Sequence, residues 1–153
     1  MTDEPRLFRS DGEIVEIGRR LLDRSLPKER WTHEAHLAAC LWIVSERSEI
    51  DPDRDMRAII SGYNEAVGGL NDDNGGYHDT ITHCFIAGVR NWLRRAPESG
   101  LLGKVNGLLL APEGGRDWPL AYYSRDRLFS VEARRNRVAP DIAPLPETKC
   151  TEN

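Results

Sequence analysis

Two histidines lie three positions apart in the stretch WTHEAH, residues 31–36, where the sequence indicates that a helix begins. Thr32 is a suitable N-cap, so His33 and His36 fall in the first helical turn. Residues at this spacing share one face of a helix. The positive end of the helix dipole disfavours imidazolium. We therefore expect two neutral imidazoles that are able to bind a cation or accept a proton.

A third histidine, His78, has a similar setting in GGYHDT, residues 75–80, where it follows a pair of glycines. Its helical stripe continues through Ile81 and Trp92, so its side chain is expected to face inward. The fourth histidine, His83, lies on a different stripe, which is rich in arginine. We expect His83 to be a surface residue.

Inward-facing histidines at two helix N-termini would supply three ligands and leave one position open, which is the pattern of a catalytic metal site. The predicted ligands are His33, His36 and His78. Three neutral imidazoles favour zinc, iron, nickel or copper over magnesium or calcium. Glu34 or Asp79 would add a carboxylate. The alternative is a hydrogen-bonded core, because an isolated H-x-x-H pair is a weak signal and histidine in a first turn often bonds a backbone carbonyl.

Two further hypotheses use the same region. One is acid–base catalysis without a metal, with His78 as the base. The other is a non-catalytic helical module that binds a small ligand or a partner protein through a polar pocket. The predicted catalytic residues, with or without a metal, are His78, Tyr77, Asp79 and Glu34. The predicted ligand-binding residues are Asn64, Tyr63, Thr82 and Arg125.

Composition narrows the class of protein. The chain has 153 residues, of which 39% are hydrophobic and 30% charged, and its net charge is −4. These values are typical of one soluble globular domain and provide no positive field for nucleic acid or an acidic membrane. The longest apolar run, residues 37–44, is far shorter than the roughly 20 residues of a membrane span. Three cysteines without framework spacing, and no signal peptide, predict a cytoplasmic protein. Oligomeric state is left open.

Apolar residues recur at helical spacing throughout the chain, and no segment alternates as a strand does. We therefore predict an all-α fold, a single compact bundle of five or six helices over residues 1–138. A proline-rich C-terminal tail, residues 139–153, is expected to be extended or flexible. The helix at 32–46 is apolar nearly all round and should be central. The predicted helices are 12–25, 32–46, 53–67, 77–95, 99–110 and 124–137.

One hydrophobic core is expected to unite the helices. The predicted core residues are Leu37, Leu41, Val44, Ile59, Ile81, Phe85 and Trp92.

The last predicted helix is distinguished by its charge. The segment SRDRLFSVEARRNRV, residues 124–138, carries five arginines against two acidic residues. This pattern is typical of a solvated face that pairs with acidic neighbours, and a docking face for an anionic ligand or an acidic partner is the alternative.

Several short motifs occur together: WTHEAHLAA, the pair Tyr63-Asn64, GYHDTIT at 76–82 and YYSRDRLFSVEARR at 122–135. In this combination the chain resembles a family of small bacterial all-helical proteins of uncharacterised activity. The resemblance covers most of the chain and implies a shared polar site at the two histidine motifs. Many relatives carry glutamate where this chain has Asp79, whose shorter side chain reaches less far toward a ligand. The resemblance implies no particular reaction.

Overall fold

The computed structural model describes residues 4–97 and 100–146, and these fold into an all-α bundle as predicted. Within those ranges the one β-type pairing is a bridge between Asp72 and Gly75, in the connection before the fourth helix. No described helix is long and apolar enough to cross a membrane. The α-helices are α1 (Asp11–Leu22), α2 (His33–Glu46), α3 (Pro52–Ala66), α4 (Asp79–Arg95), α5 (Leu101–Leu110), α6 (Arg125–Leu128) and α7 (Val131–Arg135).

Helix α2 is the central element, as its composition predicted. Its side chains are buried on nearly every side of the helix, and α1, α3, α4 and α5 all pack against it. Thr32 is the N-cap, and its hydroxyl accepts a hydrogen bond from the backbone N–H of Ala35 at 3.1 Å. The cap fixes where α2 begins, so His33 and His36 lie in its first turn.

The predicted sixth helix is two short helices. Ser124 caps α6 and Ser130 caps α7, and each hydroxyl accepts a hydrogen bond from the backbone N–H three residues later. A serine inside a predicted helix therefore begins a new one, because its side chain bonds the backbone locally. Residues 139–146 contain no helix and lie against the last helices, where Leu145 packs beside Tyr123. The rest of the predicted tail, including Cys150, lies outside the described residues.

The predicted core is confirmed except at one position. Leu37 and Leu41 are fully buried in the main cluster, and four of the other predicted side chains pack against it: Val44, Ile59, Phe85 and Trp92. Ile81 instead packs against a separate cluster that includes Cys84, Tyr123 and Leu128. The difference arises because the first turn of α4 packs against the C-terminal segment, where Thr80 is hydrogen-bonded to Asn136 and Val138.

Gly18 of α1 allows the closest approach between α1 and α2, because a Cβ there would overlap the indole ring of Trp42. We expect Gly18→Ala to lower the free energy of unfolding by about 1–3 kcal/mol through overpacking. Alanine normally stabilises a helix by up to about 1 kcal/mol relative to glycine. The control is Gly12→Ala in the same helix, where the nearest heavy atom to the new methyl would lie 3.8 Å away. Urea unfolding measures both, and equal effects would contradict this packing.

Candidate functional site

The two histidines of α2 each hydrogen-bond a backbone carbonyl. His33 Nε2 lies 2.9 Å from Gly114 O, and His36 Nδ1 lies 2.7 Å from Thr32 O. A carbonyl oxygen only accepts, so these nitrogens carry the protons and the lone pairs are on His33 Nδ1 and His36 Nε2. The ring of His36 stacks on Trp31 with 3.7 Å between centroids. Desolvation lowers the pKa of His36, so its imidazole is neutral at pH 7.

His78 is the N-cap of α4 and not a member of its first turn as predicted. Its Nδ1 accepts a hydrogen bond from the backbone N–H of Ile81 at 3.1 Å, and its Nε2 donates to Leu128 O at 2.8 Å. Desolvation lowers the pKa of His78, which keeps the ring neutral. Both nitrogens are engaged, so His78 has no free lone pair with which to act as a base.

The three histidines bond three different carbonyls, those of Gly114, Thr32 and Leu128. Among the described residues, no group of three or more His, Cys, Asp or Glu side chains is arranged to hold a metal ion. A metal on all three imidazoles would require His78 to lose one of its two hydrogen bonds. The three-histidine metal centre therefore stays a prediction that this geometry does not favour.

Tyr77 and Asp79, both predicted as catalytic, bond each other. The Tyr77 hydroxyl donates to Asp79 Oδ1 at 2.7 Å, and Arg57 Nη2 lies 3.2 Å from Asp79 Oδ2. Burial and the neighbouring Asp79 carboxylate raise the pKa of Tyr77. The pair is thus a buried hydrogen-bonded unit at the start of α4, and the Asp79 carboxylate is directed to Arg57 and not toward the three predicted metal ligands.

The prediction that His83 is a surface residue is wrong. Its side chain is only 12% exposed, with Nε2 3.6 Å from Asp79 Oδ1 and Nδ1 3.5 Å from Asp53 Oδ1. The arginine-rich face of α4 is covered by α3, whose Asp53 accepts a hydrogen bond from Arg90 at 2.9 Å. The charged stripe therefore marks an ion-paired interface between two helices. Desolvation lowers the pKa of His83.

A cavity of about 340 Å³ lies against the first turns of α2 and α4. We call it the histidine cavity. Its wall is mostly apolar and includes Leu21, Leu37, Met56, Ile60, Phe85 and Ile86. The polar residues of the wall are His33, His36, Thr82 and Arg116. Cys40 also lines it, and burial raises the pKa of this thiol to about 12, so Cys40 is a neutral wall group.

A second cavity of about 550 Å³, the tyrosine cavity, adjoins the first. Five residues line both: Trp31, His36, Ile60, Ile81 and Thr82. The predicted ligand residues Tyr63, Asn64 and Thr82 all lie around the tyrosine cavity. Their polar groups also bond the protein, since the Tyr63 hydroxyl donates to Leu26 O at 2.8 Å and Asn64 Nδ2 donates to Asn71 Oδ1 at 3.0 Å.

Two of the predicted site residues lie elsewhere. Arg125 packs over the ring of Phe129, with 5.4 Å from its guanidinium carbon to the ring centroid. Glu34 accepts a hydrogen bond from the backbone N–H of Arg6 and lines two other cavities. The sequence reading also missed Arg116, which reaches the histidine cavity from the loop after α5. No local sequence pattern identifies Arg116 as a site residue. Its place at the cavity follows from the fold, in which His33 bonds Gly114, two residues earlier in the same loop.

Most arginines of the last two helices pair within the chain. Arg134 Nη1 donates to Gly76 O at 3.1 Å, Arg135 Nη2 lies 2.6 Å from Asp73 Oδ2, and Arg127 Nε donates to Ala139 O at 2.6 Å. The bonds of Arg134 and Arg135 hold α7 against the connection before α4, and the bond of Arg127 holds α6 to the segment after α7. The geometry thus favours the solvated, internally paired face over the docking face.

No known protein family, curated protein or solved structure matches this chain. A function for this protein is therefore inferred from the geometry of the two cavities and their walls.

We expect the stability of the protein to fall as the pH drops below the ordinary histidine pKa of 6.5, because burial lowers the pKa of His78 in the folded state. The unfolded chain then binds more protons, so this contribution is complete above pH 6.5 and is lost toward the lower folded pKa. His78→Asn keeps an N-cap acceptor but removes the titration and the bond to Leu128. Urea unfolding between about pH 7 and about pH 5 should show a shallower pH dependence for the variant.

At neutral pH the same variant should be less stable than the wild type by about 0.5–1.5 kcal/mol, the usual contribution of one hydrogen bond. Identical pH slopes for the two proteins would show that His78 titrates alike in the folded and unfolded states.

Proposed function

We propose that this protein is a binding module for a small, largely apolar organic molecule, held in the histidine cavity. The observation that carries the proposal is the cavity itself, about 340 Å³ with an apolar wall and a few polar groups. Ligand pockets typically have volumes of about 300–1,000 Å³ and this kind of lining. Protein interiors otherwise contain few voids larger than a water molecule.

The neutral imidazole of His36 supports the proposal, because it gives the apolar wall an oriented polar group. Its Nδ1–H is held by Thr32 O at 2.7 Å and its ring by Trp31, so Nε2 is fixed as a hydrogen-bond acceptor. A ligand that donates a hydrogen bond there would gain orientation without ordering a mobile side chain.

The wall favours binding over covalent or acid–base chemistry. The Cys40 thiol has its pKa raised to about 12 by burial, so it is not a thiolate nucleophile at neutral pH. His78 has both nitrogens bonded, and Tyr77 donates its hydroxyl proton to Asp79. The metal-dependent hypothesis has a separate test, which is metal analysis of protein purified without a histidine tag.

Two buried free thiols also support a reducing compartment. Cys40 and Cys84 are free and buried in the described chain. Unpaired thiols are usual where glutathione keeps cysteine reduced. We therefore propose a cytoplasmic location, which fractionation of the native source would test.

The binding function is tested with the neutral apolar dye N-phenylnaphthylamine, whose emission rises in an apolar environment. Ile60 lines both cavities, so Ile60→Trp places an indole in the binding volume. We expect saturable dye binding to the wild type, and a loss of at least about tenfold in affinity, near 1.4 kcal/mol, for the variant.

The matched control is Ala58→Trp, which adds the same indole at an exposed position of α3 two residues earlier. Its dye affinity should stay within about twofold of the wild type, a difference below 0.5 kcal/mol. Thermal melting confirms that both variants fold. Equal dye binding by all three proteins would place the dye outside the cavity and contradict the proposal.

A further inference from the structure

The charged residues of the two cavity walls are all of one sign. Among the described side chains that line the histidine cavity, Arg116 is the only charged one. Lys28 is likewise the only charged side chain among those that line the tyrosine cavity. Neither wall contains an aspartate or a glutamate, although the protein as a whole has a net charge of −4. Each cavity therefore offers one cation and no competing carboxylate.

Arg116 is available to a ligand. Its side chain is exposed, and within the described chain its guanidinium forms neither a hydrogen bond nor an ion pair. Desolvation raises the pKa of the neighbouring Glu34, but backbone hydrogen bonds and the charge of Arg116 lower it overall. Glu34 nevertheless bonds the backbone of Arg6 and does not line the histidine cavity. Arg116 also lines a separate cavity with Glu4, Glu34 and Asp117, whereas no carboxylate lines the histidine cavity, so a ligand there meets the guanidinium without a carboxylate in the same wall.

The first turns of two long helices also contribute side chains to the wall of this cavity. The wall includes His33 and His36 from the first turn of α2, and Ile81 and Thr82 from the first turn of α4. Helix N-termini carry partial positive charge and favour anions. The same two turns also contain Glu34 and Asp79, but neither of them lines the cavity, and Asp79 is paired with Arg57. Their carboxylates therefore do not cancel the partial positive charge at the wall.

We propose that the ligand of the histidine cavity is an organic carboxylate with an apolar body. The body occupies the apolar volume, and the carboxylate is bound by Arg116, whose planar guanidinium matches a carboxylate with two parallel hydrogen bonds. A single unpaired guanidinium balances a single negative charge, which favours a carboxylate over a doubly charged phosphate. This inference rests on the proposed binding function and specifies its ligand class.

The test compares three ligands of equal chain length, octanoate, octanamide and octylamine, as competitors of the bound dye. The wild type should bind octanoate at least about fivefold more tightly than octanamide, and octylamine most weakly. Arg116→Gln should abolish the preference for octanoate while leaving the affinity for octanamide within about twofold. Dye affinity is measured directly for each variant, so that the competition constants are corrected for any change in dye binding.

Lys28→Gln is the matched control, since it removes the same charge from the wall of the adjoining cavity. We expect it to keep the preference for octanoate. Equal affinities for octanoate and octanamide, or a preference that survives in Arg116→Gln, would overturn the carboxylate assignment while dye binding still supports the cavity. Loss of the preference in Lys28→Gln would overturn it too, by placing the carboxylate in the tyrosine cavity. Failure of the dye to bind the wild type would instead remove the proposed function.

Discussion

The rest of the structure depends on the burial of α2 on nearly every side. Eight of its fourteen residues are buried, and they point in all directions around the helix axis. Such a helix has no polar face to leave in water, so other helices must surround it. Gly18 of α1 is the extreme case, because it brings α1 against the ring of Trp42. The polar side chains of α2 lie at its two ends, and the cavity is lined by those of the first turn, His33 and His36.

The same constraint explains the state of the histidines. Helix N-termini disfavour imidazolium, and desolvation lowers the pKa of His36 and His78 further. Neutral imidazoles retain one N–H. That of His36 adds a second hydrogen bond to Thr32 O, which already accepts a backbone N–H, whereas that of His78 is the partner of Leu128 O in the buried part of the structure. A buried carbonyl without such a partner would destabilise the fold. The histidine motifs therefore have a structural role that does not require a metal.

Local sequence patterns predicted what depends on local physics. Helical periodicity gave the five long helices, and Thr32 was identified as the N-cap because its hydroxyl bonds the backbone three residues away. Two errors are local, since Ser130 begins a new helix and His78 is an N-cap. The others concern contacts between distant segments. His83 was expected in water because its own stripe is charged, yet the partners of that stripe, such as Asp53, belong to another helix. The site residue Arg116 was missed because its loop meets α2 through residues that are 81 positions apart in the chain, His33 and Gly114.

Two segments that follow α5 are joined to the bundle by histidine, and the first of them contributes Arg116 to the cavity wall. His33 bonds Gly114, two residues before Arg116, so the first turn of α2 determines where that arginine enters the cavity. His78 bonds Leu128 and thereby holds α6 over the start of α4. Each imidazole thus ties a segment from the C-terminal part of the chain to the start of a long helix. His33 in particular positions the loop of Arg116, the residue that we propose to bind the charged group of a ligand.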